Sequence, residues 1–240
     1  MKDEDPTIAW YNHHVDEVAE RYEALSFPEI HGWLIPYLPE EGEGVVLDVG
    51  AGTGRDVAWL AARGHRVVAV EPSSAMRAEG RSRHMDSGID WVDDRLPKLS
   101  RVLARSLIFD LILLSAVWMH IPSSHRPQAF RVLCDLLRPG GVVAITLRQG
   151  PIVRERGIGL ALVNEVVTLA RANGIVMKHV ERTYDQLDRE EVSWVQVAAS
   201  KTGPWLCKMD ARSSRERVDS PLQNALCEST RNCELWGKKR

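Results

Sequence analysis

From residue 45 onward the chain alternates short apolar, β-branched runs with amphipathic stretches, and this alternation limits its possible folds more than any other feature. The runs are Val45 to Val49, Arg66 to Val70, Ile89 to Val92, Leu107 to Ser115, Val142 to Leu147, Ile175 to Val180 and Val192 to Ala198. Between them, helical spacing links Val57, Leu60 and Ala61 up to Gly64, then Phe130, Leu133, Leu136 and Leu137 up to Pro139-Gly140-Gly141. A third stripe, Leu160, Val163, Val166, Val167 and Ala170, runs up to Asn173-Gly174. Gly or Asn just past the last periodic residue stops a helix because it tolerates the left-handed conformation. Strands alternating with helices build right-handed βαβ units and a parallel sheet covered on both faces. The prediction is a doubly wound α/β domain. Its last two strands are joined by a polar stretch with no apolar stripe, so they can pair antiparallel.

Ahead of the sheet, Ile8 to Leu25 carries Val15, Val18, Ala19, Tyr22 and Leu25 at helical spacing, and a second short helix is predicted from Pro28 to Leu38. Together they form a helical N-terminal cap. After Ser200 the periodic pattern collapses, with nine Lys or Arg against five Asp or Glu. That composition predicts a loosely ordered basic tail, with one short helix around Pro221 to Cys227. The whole chain has 31 Lys plus Arg and 33 Asp plus Glu, a net charge of −2, which argues against wrapping nucleic acid by bulk charge. The basic tail is the one place where a nucleic acid or protein partner can enter. The longest apolar run, Leu111 to Val117, includes Ser115 and has strand length, far from the roughly 18 residues of a membrane span. With an acidic start, Met1-Lys2-Asp3-Glu4-Asp5, this predicts a cytoplasmic chain without a membrane partner. Cys134, Cys207, Cys227 and Cys233 form no C-x-x-C pair, so reduced thiols are expected, with neither a zinc site nor a disulfide framework.

The sharpest motif is Val45-Val46-Leu47-Asp48-Val49-Gly50-Ala51-Gly52-Thr53-Gly54, a buried strand entering a glycine-rich turn ahead of a helix. Glycines let the backbone turn tightly and approach a ligand at the carboxyl end of the first strand, where open α/β sheets bind ligands. Glu71 ends the second strand, where a carboxylate accepts both hydroxyls of a ribose. A dinucleotide fingerprint needs its third glycine where Arg55 stands, and a P-loop needs a Gly-Lys-Ser/Thr that is absent. Asp48 would repel a pyrophosphate but suits the ammonium group of an amino acid. A nucleoside that bears an amino acid is S-adenosylmethionine.

On these residues the chain resembles the class I S-adenosylmethionine-dependent methyltransferases over roughly residues 40 to 200. The resemblance rests on Asp48-x-Gly50-x-Gly52-x-Gly54, on Glu71 and on Val92-Asp93-Asp94-Arg95-Leu96-Pro97. It extends through Phe109-Asp110-Leu111-Ile112 to Leu137-Arg138-Pro139-Gly140-Gly141, in that order. It implies a Rossmann-like, doubly wound seven-stranded sheet, mostly parallel with an antiparallel last strand. With the patterns on either side of it, the resemblance divides the chain into a cap or lid at 1-40, a cofactor-binding methyltransferase domain at 41-200 and the basic tail at 201-240. Carried over by position, the loop of Gly50, Ala51, Gly52, Thr53 and Gly54 cradles the methionine part of S-adenosylmethionine, with Asp48 beside it and Glu71 on the ribose. Pro72 and Met76 follow Glu71 in the same site. Asp94, or Asp93 as second choice, binds the adenine amino group beside Arg95, and Ser115 and Ala116 line the sulfonium side. Arg55 and Asp56 open the next helix and hold the loop by a local ion pair.

The methyl acceptor is less constrained. Ser115-Ala116-Val117-Trp118-Met119-His120-Ile121-Pro122 is not the Asp/Asn-Pro-Pro-Tyr/Trp signature of amino-methylating DNA enzymes, and no Pro-Cys is present. Nucleic acid bases are thus disfavoured, leaving a small or medium polar molecule or peptide as acceptor. Trp118 can pack against the cationic donor or a flat acceptor, or lie in the core. His120 can take a proton from a hydroxyl or amine, or simply bond to its loop. Arg148, Arg154 and Arg156 fall within nine residues at the sheet's ligand edge and can clamp a carboxylate or phosphate, or remain solvated. Tyr11 and Tyr22 of the cap are further acceptor-side candidates. The expectation is a monomer or homodimer that yields S-adenosylhomocysteine without a metal. A nicotinamide-dependent reductase and a non-catalytic cofactor-binding module remain as alternatives.

Overall fold

Short β-branched runs that are apolar on both faces gain most by zipping into a sheet with helices above and below. The structure is a computed structural model that describes residues 5–85, 87–187 and 189–202, so the tail expected beyond residue 202 lies outside the described residues. The strands are β1 (Val45–Val49), β2 (Arg66–Val70), β3 (Asp90–Val92), β4 (Phe109–Leu114), β5 (Leu137–Gln149), β6 (Ile175–Tyr184) and β7 (Ser193–Lys201). They lie in the order β3-β2-β1-β4-β5-β7-β6, parallel from β3 to β5, with β7 antiparallel to both of its neighbours. This is the predicted doubly wound sheet with its reversal at the end.

The period of two along β1 sorts the core. Val46 turns to one face and meets Val67, Ala69, Leu111 and Leu113, covered there by Leu60 of α1 (Arg55–Ala62) and by Phe27 and Leu34 of the cap. Leu47 and Val49 turn to the other face with Ile112 and Leu114. Phe130 of α2 (Arg126–Leu136) and Val166 of α3 (Val163–Ala172) cover them. Each fully buried Val, Leu or Ile side chain contributes about 1.5–3 kcal/mol, and together they offset the cost of carrying Asp48 into the interior on the same strand.

Four local departures from the sequence reading have physical causes. The first cap helix breaks at His14, where the backbone leaves the helical region (φ −112°, ψ 23°) and the ring Nδ1 bonds the Trp10 carbonyl at 2.8 Å. Two helices result, Pro6–His13 and Val15–Glu23. Ser26 and Glu29 form a capping box at Phe27–His31, after which Pro36 tightens the chain into a 3₁₀ stretch, Gly32–Tyr37. β5 begins at Leu137 rather than beyond Gly141, because Leu137 pairs with Phe109 ahead of a bulge and Val142 then pairs with Leu111. β6 extends to Tyr184 because it is the sheet's edge, where polar residues take the solvent-facing positions that hydropathy alone overlooks. Among the described residues no helix is long and apolar enough to cross a membrane.

Candidate active site

β1 lies between β2 and β4, so the loops leaving the carboxyl ends of β1 and β4 diverge and open a crevice at that point. Gly50 and Ala51 anchor the first loop by donating their N–H groups to the Val70 carbonyl at 2.7 and 2.9 Å. Gly50 and Gly52 have φ of +77° and +59°. A Cβ on Gly50 would fall 2.5 Å from Val117 Cγ2, and one on Gly52 would reach the Tyr22 ring at 3.4 Å. The turn therefore demands glycine for conformation and for space at once. Beside it, Glu71 accepts from Gly52 N–H at 2.9 Å on one oxygen and from Ser73 N–H at 2.8 Å on the other. Burial raises its carboxyl above the usual range, against those two donors. Each oxygen keeps a free lone pair, the number a ribose diol requires.

Beneath the loop lies a buried charge cluster. Arg55 grips Asp56 with two bonds of 2.8 and 2.9 Å, and His31 Nε2 stands 3.2 Å from Asp56 and 3.0 Å from Ser115 Oγ. Burial works against ionisation of Asp56, but His31 and Arg55 outweigh it and hold the carboxyl well below its ordinary value. Asp48 is 1% exposed, and its Oδ1 has no hydrogen-bond partner. Burial first and the charge of Asp56 second push its carboxyl well above the ordinary value. An orphaned buried acceptor against a glycine cradle fits an ammonium group, and with Glu71 the residues present fit S-adenosylmethionine.

One cavity of about 440 Å³ collects most of the remaining candidates. On its wall are Gly50, Ala51, Gly52, Asp56, Glu71, Pro72, Met76, Asp94, Arg95, Ser115, Ala116, His120, Tyr11, Tyr22, Arg148 and Arg156. That volume is in the range of small-molecule sites. His120 Nδ1 lies 3.3 Å from the Gly157 carbonyl, which can only accept, so Nδ1 carries the hydrogen and Nε2 accepts from the Tyr11 hydroxyl at 3.2 Å. Burial lowers the His120 pKa to about 4 and keeps the ring neutral. Ala116 adopts φ +58°, a strained conformation for a residue with a Cβ, and the bond from its N–H to Thr146 Oγ1 at 2.8 Å holds it.

Residues 46–141 match the family model described as a methyltransferase domain. The biotin biosynthesis bifunctional protein BioHC of Cellvibrio japonicus (strain Ueda107) is 35% identical over 124 residues, 50% of this chain and 23% of that protein. An uncharacterized methyltransferase of Alkaliphilus oremlandii (strain OhILAs) is 28% identical over 143 residues, 59% of this chain and 60% of that one. The chain thus spans less than two thirds of either curated relative. Magnesium protoporphyrin IX methyltransferase of Synechocystis PCC 6803, solved with bound S-adenosylmethionine, shares the fold. Its TM-score is 0.57 at 16% identity, covering 81% of each chain. Over residues 46–141 the chain matches a methyltransferase domain, and it has the fold of the S-adenosylmethionine-dependent methyltransferases.

The cavity wall excludes six candidates, Asp48, Thr53, Gly54, Asp93, Trp118 and Arg154, and includes residues that were not candidates. Trp118 is fully buried, its ring edge-on to Phe130 at 6.1 Å and under the Arg126 guanidinium at 5.9 Å, so it belongs to the core and not to the reacting groups. Trp118→Ala should cost about 3–5 kcal/mol in chemical unfolding while changing the affinity for S-adenosylhomocysteine by less than about threefold. A large affinity loss in a folded variant would return Trp118 to the site. Asp93 faces away from the cavity and pairs with Arg77 and Arg101, each at 3.2 Å. Arg154 is exposed in a 3₁₀ turn, off the cavity wall. Gly54 packs behind the loop, where a Cβ would strike Trp91 at 2.8 Å, and Thr53 is buried there too. Asp94 reaches the wall but is committed, its oxygens accepting from the N–H groups of Arg95, Arg101 and Val102.

Three residues on the cavity wall escaped the sequence reading. Thr146 lines the cavity with Arg148, and the two share a face of β5 by alternation, a signal that Arg148 alone provided. Arg189 and Trp194 enter from the polar stretch after β6 and from β7, which the sheet order places next to β5.

Proposed function

We propose that the chain transfers a methyl group from S-adenosylmethionine to an oxygen or nitrogen nucleophile of a small or medium polar acceptor. One observation carries this reading: the glycine cradle with Glu71 and the Tyr11–His120 pair line the same cavity, so a donor site and a proton-accepting site share one space. When bound, S-adenosylmethionine supplies a sulfonium-activated methyl group and leaves as S-adenosylhomocysteine. Asp48 would pair with its ammonium group, Glu71 with its ribose hydroxyls, and Met76 with its apolar surface. Displacement in line needs alignment and exclusion of water more than a strong base, and the helices carrying Tyr11 and Tyr22 supply a cover.

The proton released by an attacking hydroxyl or amine goes to the Tyr11 oxygen, which passes its own hydrogen to His120 Nε2. A base with a pKa of about 4 is weak, but it suffices for the strongly acidic oxonium formed as an oxygen gains a methyl group. His120→Ala and Tyr11→Phe should each lower turnover by about 10²–10⁴-fold on such an acceptor, with cofactor affinity nearly unchanged. Since a base must be unprotonated to act, the acid limb of kcat/KM should fall near pH 4 rather than near pH 6.5. A limb at pH 6.5 that survives in His120→Ala would exclude the relay. Incubating the protein and a cell extract with methyl-labelled S-adenosylmethionine, followed by mass spectrometry of labelled products, tests the activity. Label on a discrete small molecule or peptide supports it, and label on none, with cofactor bound, favours a non-catalytic module.

A further inference from the structure

Among the described residues, no acid forms an ion pair with the two arginines Arg148 and Arg156 of the acceptor half of the cavity. Arg148 ends β5 opposite Trp194 of β7, is 9% exposed and spends one N–H on the Pro151 carbonyl at 2.8 Å. Arg156 stacks over the Trp10 ring at 4.6 Å, and its Nε is buried with no hydrogen-bond partner. Asp185, the acid whose charge acts on Arg148, is already saturated. Asp185 accepts from Arg189 Nη2 at 2.6 Å and Trp194 Nε1 at 2.8 Å on one oxygen. Its other oxygen accepts from Arg189 Nε at 2.8 Å and from two backbone N–H groups.

Of the other described acids on the wall, Asp5 pairs with Arg95, Asp56 with Arg55 and His31, Asp94 accepts from backbone N–H groups, and Glu71 stands in the donor half against Gly52 and Ser73. An uncompensated buried guanidinium is costly, and a carboxylate or phosphate meets it with two parallel charge-assisted bonds. Burial first, then the charges of Arg189 and Arg156, depress the pKa of Arg148, against the opposing charge of Asp185. The field of Arg156 also reaches His120 and Tyr22, so an anion held there would lie beside the proton-accepting pair.

We propose that the acceptor carries a carboxylate or phosphate, held between Arg148 and Arg156, with its nucleophile next to Tyr11 and His120. The reading rests on the methyltransferase assignment for the group transferred, but the anion site can be tested without turnover. Benzoate, phenyl phosphate and neutral benzamide would be titrated into the protein saturated with S-adenosylhomocysteine. At least one of the anions should bind about tenfold or more tightly than benzamide, and the stronger of the two names the anionic group. Arg148→Gln and Arg156→Gln should each reduce that preference to below about threefold. Arg154→Gln, outside the cavity, should leave it intact, and Arg156→Lys should keep part of it. Equal binding of all three probes to the wild type, or a preference that survives both Gln variants, would overturn the proposal. S-adenosylhomocysteine titrated into each variant checks that the variant is folded. If the wild type binds no S-adenosylhomocysteine, the methyltransferase assignment falls, and the probes titrated into the protein alone still decide the anion site.

Discussion

Gly52→Val should cost at least about 100-fold in affinity for S-adenosylhomocysteine, close to 2.7 kcal/mol. Two effects combine at this position. A β-branched residue at φ +59° is a conformational outlier costing about 1–2 kcal/mol, and the valine Cβ would stand 3.4 Å from the Tyr22 ring, with its methyl groups in the ligand's path. Gly88 provides the control. It has φ +68°, but a Cβ there would meet no atom within 4 Å, so Gly88→Val imposes similar backbone strain away from the cavity. If calorimetry shows wild-type affinity in Gly52→Val, the loop does not cradle the ligand. If Gly88→Val loses affinity equally, strain and not contact is responsible.

The second large effect falls on stability. Arg55→Met should lower it by about 3–5 kcal/mol, because the change leaves Asp56 buried with only His31 beside it and next to the unpartnered Asp48. In a domain of this size that corresponds to a fall in Tm of about 6–20 °C. The pH dependence follows from the direction of the Asp56 shift. Its folded value lies below the unfolded one, so the stabilisation is present at neutral pH and is lost as the pH falls below about 4. Arg55→Met should therefore lose less stability on acidification than the wild type, while starting from a lower level. An unchanged Tm at pH 7 would mean that the cluster is hydrated and contributes little.

Much of the scaffold was legible because β1 and β2 are buried on both faces and bounded by turn residues, which gave both strands their observed limits. Asp48, the glycines and Glu71 were legible for the same reason: each breaks an otherwise apolar pattern at a strand end, where only a ligand or a turn justifies it. Trp118 was ambiguous because a large aromatic residue beyond a strand reads alike whether it faces a cavity or Phe130. The arginines show the limit of counting along the chain. Arg154 looked equivalent to Arg156 two residues away, but a 3₁₀ turn points them differently, while Arg189 reaches the same cavity because β7 lies between β5 and β6. The charge cluster was half visible, since the Arg55–Asp56 pair follows from adjacency, but His31 comes from the cap, where the capping box marks the helix and nothing marks the histidine's partner.

The most direct test of the central claim is a pair of calorimetric titrations of the wild-type protein, one with S-adenosylhomocysteine and one with NADH. Asp48 and Glu71 around the glycine cradle predict saturable one-to-one binding of S-adenosylhomocysteine and no detectable binding of NADH, whose pyrophosphate would meet the Asp48 carboxylate. Tighter binding of NADH, or binding of neither, would contradict the account.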